Sequence, residues 1–107
     1  MGKTRRRDDI MLSEDLIERV KSANPIEDVV AEYQSLSKRG ANLWGLCPFH
    51  ADRHPSMSVS PSRGIFKCFV CGEGGNAFKY VQQVEGVTFV EAVRMLAAKK
   101  NIEIPDD

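Results

Sequence analysis

The chain has 107 residues and a mass of 12.0 kDa, which leaves room for one domain and not for two full cores. Apolar residues make up 42% and charged residues 28%, a balance that excludes a disordered tail, while no run reaches the roughly 18 apolar residues of a membrane span. The formal net charge is +0 and the basic start is not a secretory signal, so a soluble, cytoplasmic protein with no membrane partner is expected.

Residues 1–10 read as a loose basic arm, because Arg5-Arg6-Arg7 beside Asp8-Asp9 offers no apolar period to bury. A natural extension and a cloning remnant would look alike there. Ser13 predicts an N-cap, with Glu14 and Asp15 in the first turn where the helix dipole favours carboxylates. Leu16, Ile17 and Val20 supply its apolar stripe, and the helix should stop near Ala23. Asn24, as the next cap before Pro25 and Glu27, predicts a second short helix carrying Ile26, Val29 and Val30.

After Tyr33 the texture changes. Short apolar runs broken by Gly40, Gly45, Pro48, Pro55, Pro61, Gly64 and Gly72 predict short strands and tight turns over residues 34–72. Met57-Ser58-Val59-Ser60 alternates with period two, Pro61-Ser62-Arg63-Gly64 reads as a hairpin turn, and Ile65-Phe66-Lys67-Cys68 as the return strand. Alternation puts Phe66 and Cys68 on one face and Ile65 and Lys67 on the other. Gly74-Gly75-Asn76 reads as a flexible entry and cap for a helix with Phe78, Val81 and Val84 on one side, ended by Gly86. Thr88 and Glu91 form a capping box for a last helix burying Phe89, Val93, Leu96 and Ala97.

The strongest chemical signal is Cys47-Pro48-Phe49-His50 followed, 17 residues on, by Cys68-Phe69-Val70-Cys71. Two ligand pairs, each with two residues between, fit the short turns that aim both side chains at one ion. Three thiolates and an imidazole suit tetrahedral zinc. Buried structural cysteines or a disulfide are the competing readings, but three Cys would leave one thiol over and an intracellular chain is kept reduced. Four ligands close the shell, so the Zn2+ is read as single and structural. The His-x-Glu of zinc deaminases is missing too, since Ala51-Asp52 follows His50. His54 is the alternative fourth ligand, and Cys-x2-His matches the reach of a zinc knuckle better than Cys-x6-His. Residues 40–72 hold few large aliphatic side chains, so this segment is expected to unfold without metal.

Charge is partitioned along the chain. Residues 34–79 hold Lys38, Arg39, Arg53, Arg63, Lys67 and Lys79 against Asp52 and Glu73, net +4, together with every Cys and His. A local positive field favours an anionic partner, though scattered solvated charge gives the same counts. Aromatics interleave with these cations, and rings plus cations on a small sheet are the materials for stacking bases and pairing phosphates. The candidate nucleic-acid contacts are Lys38, Arg39, Trp44, Arg53, Arg63, Lys67 and Phe69. Phe66, on the face of Cys68, is assigned to the core.

Trp44-Gly45-Leu46-Cys47-Pro48-Phe49-His50, Pro55-Ser56, Phe66-Lys67-Cys68-Phe69-Val70-Cys71-Gly72 and Gly74-Gly75-Asn76-Ala77-Phe78 together resemble the N-terminal zinc-binding domain of bacterial DnaG-type DNA primases. The likeness extends from Asn24-Pro25-Ile26 to Ile102-Glu103-Ile104 and covers residues 11–104, with residues 105–107 as linker or tail. It implies an α+β fold: a small zinc ribbon, with its core over 34–72, on an antiparallel β-sheet flanked by short helices at both ends. Cys47, His50, Cys68 and Cys71 fall on the family's ligand positions. The resemblance further implies a module that recognises single-stranded DNA template beside a primase RNA-polymerase domain, in cis or in trans. Replicative helicase and single-strand-binding protein would be its partners at the replication fork. Arg53-His54-Pro55-Ser56-Met57 departs from the family's usual Lys-Thr-Pro-Ser-Phe, and Ala41 stands where a basic residue is common.

No catalytic residues are assigned, because the chain lacks the carboxylate constellation that phosphoryl transfer needs and has no phosphate-cradling Gly-x4-Gly-Lys-Ser/Thr motif. Two function classes remain open: a template-reading module, excised or stand-alone, of an enzyme that makes RNA primers, or a zinc-stabilised docking or redox-regulatory module of the replication machinery.

Overall fold

The computed structural model describes residues 12–49, 51 and 53–104. The basic arm, His50, Asp52 and the last three residues lie outside them. Helix α1 spans Glu14–Ala23, capped as expected by Ser13, whose Oγ accepts the Leu16 N–H at 3.2 Å. Leu16 and Val20 are buried and Ile17 packs at the rim. Helix α2 spans Ile26–Ala31, and here the expectation of an Asn24 cap fails: Pro25 is the cap and makes no side-chain bond. The proline ring fixes φ at −54° and lacks an N–H to satisfy, so it opens the helix unaided. Asn24 is thereby freed for a different task. Buried at 4% exposure, it donates through Nδ2 to the Val20 carbonyl at 2.8 Å and the Leu96 carbonyl at 3.2 Å, tying two helices from opposite ends of the chain.

Five strands follow as an antiparallel meander in chain order: β1 Ser37–Arg39, β2 Asn42–Gly45, β3 Met57–Ser60, β4 Ile65–Cys68 and β5 Gly74–Gly75. The β3–β4 hairpin forms as expected, with Ser60 opposite Ile65 and Met57 opposite Cys68. Gly64 closes its turn at φ +69°, donating to the Ser60 carbonyl at 2.8 Å, in a region that side chains with a Cβ rarely adopt. Strand β5 replaces the expected flexible entry. Its two glycines lie against Phe66 and Lys67 of β4, and a Cβ on Gly74 would sit 2.9 Å from the Phe66 carbonyl oxygen.

Helix α3 runs from Ala77 to Glu85 behind the Asn76 cap and stops at left-handed Gly86. Helix α4 runs from Phe89 to Lys99 behind the complete Thr88/Glu91 capping box. Ala92, Val93, Leu96 and Ala97 are buried, but Phe89 keeps 38% exposure. It opens the helix at its rim, so one edge of the ring meets Phe78 at 5.4 Å while the rest stays in water. None of the helices among the described residues is long and apolar enough to cross a membrane.

Period-two alternation gives the sheet two unlike faces. The inner face carries Leu43, Met57, Val59, Phe66 and Cys68, with α2 against β3 and α3 against β4 and β5. Phe66 meets Tyr80 edge-to-face at 5.4 Å, which places it in the core as expected. The outer face carries Arg39, Asn42, Trp44, Ser58, Ser60 and Lys67.

Candidate metal centre and nucleic-acid face

Cys47 follows β2, Cys68 ends β4, and Cys71 lies in the turn leading to β5. The meander brings their three Sγ atoms within 4.8 Å of one another, the converging group of potential metal ligands among the described residues. Cys47 and Cys71 are 3.7 Å apart, sulfur to sulfur. Tetrahedral zinc with Zn–S near 2.3 Å separates its sulfurs by about 3.8 Å, so the donor set fits that ion. Both Cys turns aim amides at sulfur. The Phe49 N–H donates to Cys47 Sγ, and the Val70 and Cys71 N–H groups to Cys68 Sγ, each at 3.4 Å. Amide donors of this kind favour the thiolate form. Gly72, at φ +85°, lets the chain double back, its N–H reaching the Cys68 carbonyl at 3.0 Å while the Cys68 N–H reaches Glu73 O at 2.8 Å.

Burial pushes the Cys47 thiol up to about 12, the neighbouring sulfurs adding to the effect and the Phe49 N–H opposing it. At neutral pH a metal must therefore displace this proton to gain the sulfur. The segment entering Cys47 is fixed from the helix side: Tyr80 donates to Gln34 Oε1 at 2.6 Å, and Gln34 Nε2 donates to the Leu46 carbonyl at 2.6 Å. Nothing in the sequence pattern signalled this relay, because Gln34 and Tyr80 are 46 residues apart. His50, the expected fourth ligand, is outside the described residues, and His54 is exposed.

On the outer face, Trp44 and Phe69 stack with ring centroids 5.7 Å apart and planes 26° from parallel. The Arg39 guanidinium lies 6.0 Å from the indole centroid. Arg63, in the hairpin turn, and Lys67, on β4, line a groove of about 500 Å³ together with Asn42, Ser58, Ser60 and Phe69. Five of the seven nucleic-acid candidates thus share one side of the sheet. The other two do not: Lys38 pairs with Leu43 and takes the opposite parity, while Arg53 sits in the loop before β3. Lys67 points away from Cys68, as strand alternation requires.

Six residues that line the groove, Asn42, Ser58, Ser60, Ser62, Ile65 and Phe66, were not among the sequence candidates. Ser58 and Ser60 carried a usable signal, since they alternate with Met57 and Val59 and must lie on the Lys67 side once the hairpin register is set. Asn42 carried none, because the β1–β2 pairing is not readable from Gly40-Ala41 alone. Leu46, Phe69 and Val70 are large apolar side chains left 47%, 66% and 68% exposed around the metal end.

Residues 12–107 match the CHC2 zinc finger family. The chain is similar to the DNA primase of Halalkalibacterium halodurans, 47% identical over 95 residues, and to that of Geobacillus stearothermophilus, 47% identical over 93 residues. These alignments cover 89% and 87% of this chain and 16% of each relative, so the chain spans about one sixth of their length. Among solved structures it is similar to the Aquifex aeolicus primase containing zinc-binding and RNA polymerase domains, with TM-score 0.81 and 42% identity over 88% of this chain and 23% of that one. The chain therefore belongs to the CHC2 zinc finger family, the zinc-binding domain of DnaG-type DNA primases, and its metal is a structural zinc.

Proposed function

We propose that this chain recognises single-stranded DNA template for a bacterial, cytoplasmic DNA primase, and that Cys47, His50, Cys68 and Cys71 hold its zinc. The observation that carries the reading is the outer sheet face, where a stacked ring pair lies beside Arg39, Arg63 and Lys67. Rings accept the faces of unpaired bases and the cations accept phosphates, a pairing suited to single strands. Zinc, when bound, pins β2 to the β4–β5 turn. Phe69 lies between two of the sulfurs in sequence, so the same pinning orients its ring. The residues of this chain do the rest: α2 and α3 hold the inner face, and the outer face is left to meet the strand. Primer synthesis is assigned to a polymerase domain, in cis or in trans.

The test is fluorescence anisotropy of a labelled single-stranded pool with the zinc-loaded chain. Saturable binding that weakens steeply between about 50 and 200 mM salt supports the reading. A second reading, a zinc-stabilised docking module, is favoured by the exposed Leu46, Phe69 and Val70. No DNA binding at low salt, with saturable binding to an isolated primase polymerase domain, selects it instead.

A further inference from the structure

The cation in the β3–β4 turn borders two spaces. Arg63 and its neighbour Ser62 line the outer-face groove and also a second hollow, of about 270 Å³. Strands β3 and β4 run from the metal end, where Met57 pairs with Cys68, to the hairpin end, where Ser60 pairs with Ile65. The second hollow lies at the hairpin end, away from the sulfurs. Its opposite wall is the corner between α1 and α2, which contributes Lys21, Ser22 and Pro25. The single-strand reading above makes no use of this corner.

Two cations and two hydroxyls line the hollow, and among the described residues no carboxylate does. The side chains of Ser22, Ser62 and Arg63 make no hydrogen bond or ion pair among the described residues. Lys21 Nζ lies 3.8 Å from Glu18 Oε2, but both side chains are exposed, and such a pair is worth little against a charged acceptor. The carbonyls that end α1 would repel an anion, yet those nearest are taken. Val20 O accepts from Asn24 Nδ2 at 2.8 Å and Lys21 O from the Asn24 N–H at 3.1 Å. The walls are also stiff, because Pro25 and Pro61 fix φ and Asn24 ties the corner to the Leu96 carbonyl of α4. A site formed before its ligand arrives loses less freedom on binding. At about 270 Å³ the hollow falls below the range of about 300–1,000 Å³ for clefts that hold whole small molecules, a size that suits a phosphate group rather than a nucleoside. We propose that this hollow is a phosphate-binding site separate from the outer face, in which Lys21, Arg63, Ser22 and Ser62 hold a backbone phosphate of the strand after it rounds the hairpin turn. Continuity favours the strand as the source, since Arg63 and Ser62 border both spaces. The proposal rests on the single-strand reading and extends the path of the strand off the sheet and onto the helix layer.

The experiment uses the full zinc-loaded chain and labelled oligothymidylates of about 4 and about 16 nucleotides, the limits of the site sizes of small strand-binding folds, in anisotropy across a salt series. Lys21→Ala is expected to make the logarithmic slope for the longer strand shallower by about 0.7, one phosphate contact, and to leave the slope for the shorter strand unchanged. Arg19→Ala, two residues earlier on α1 and so on a different face, should change neither. Alanine is the best helix former, so both variants should fold, which zinc content and far-ultraviolet circular dichroism check. In a second arm, inorganic pyrophosphate titrated into isotope-labelled chain should give saturable shifts of the Ser22, Ser62 and Arg63 amide signals that Lys21→Ala abolishes. A slope change confined to Lys21→Ala and the longer strand upholds the proposal. A change shared with Arg19→Ala, equal on both strands, or absent overturns the path round the turn. In that case the pyrophosphate shifts assign the hollow to a free phosphate, and their absence removes the site. A parent chain that binds neither strand at low salt overturns the single-strand reading itself, and the pyrophosphate arm then decides the phosphate site alone.

Discussion

The helices and the ribbon of this small domain are stabilised by different means. Most of the buried side chains belong to the helices: Leu16 and Val20 from α1, Ile26, Val29 and Val30 from α2, Phe78, Tyr80 and Val81 from α3, and Val93 and Leu96 from α4. The strands add only Met57, Val59, Phe66 and Cys68 to that core, on one face, and give the other face to water and to whatever binds there. Structural zinc supplies about 10–16 kcal/mol of apparent binding energy in small fingers. Ordinary domains have total stabilities of about 5–15 kcal/mol. A sheet this short can therefore leave its outer face free of core duty because the metal compensates for the apolar contact it forgoes.

If that contrast holds, removing zinc should have the largest effect and an unequal one. A strong chelator is expected to abolish the near-ultraviolet signal of Trp44, the single tryptophan, while part of the helical far-ultraviolet signal persists. An unchanged tryptophan signal in demonstrably zinc-free protein would show that the ribbon stands on its own. Phe66→Ala probes the seam between the two regions, because its ring touches both Phe49 and Tyr80. The expected loss is about 3–5 kcal/mol in denaturant unfolding of the zinc-loaded chain. Asn24→Ala lies wholly within the helices. It orphans the Leu96 carbonyl contact across the chain, and urea melts should show a loss of about 1–3 kcal/mol with zinc affinity unchanged. Smaller still is Thr88→Ala, which removes one half of the α4 capping box for about 1 kcal/mol.

What could be read from the sequence follows the same division. Local chemistry was legible: Ser13, Asn76 and Thr88 announce helix starts by side chains that bond three residues on, and the hairpin from Met57 to Cys68 is written in alternation and a glycine turn. The Cys68-x2-Cys71 pair was legible for the same reason, being a self-contained turn. Contacts distant in sequence were not. Asn24 has a helix-capping side chain, and only its meeting with Leu96, 72 residues away, explains why it is used otherwise. Gly74-Gly75 reads as flexibility until β4 is placed beside it. Lys38 and Arg39 must take opposite faces of a strand, but only the pairing of β1 with β2 shows which of them shares a face with Trp44.

The sharpest measurement is the salt slope of single-stranded DNA affinity for the zinc-loaded chain and for the double substitution Arg63→Ala with Lys67→Ala. Both side chains are exposed and away from the core, so stability should change by no more than about 0.5 kcal/mol. Each lost phosphate contact removes about 0.7 from the logarithmic slope on a single strand, so the account predicts a slope shallower by about 1.4. A slope that does not change, in a variant that still binds zinc and DNA, would contradict the claim that the outer face of the sheet is where the strand lies.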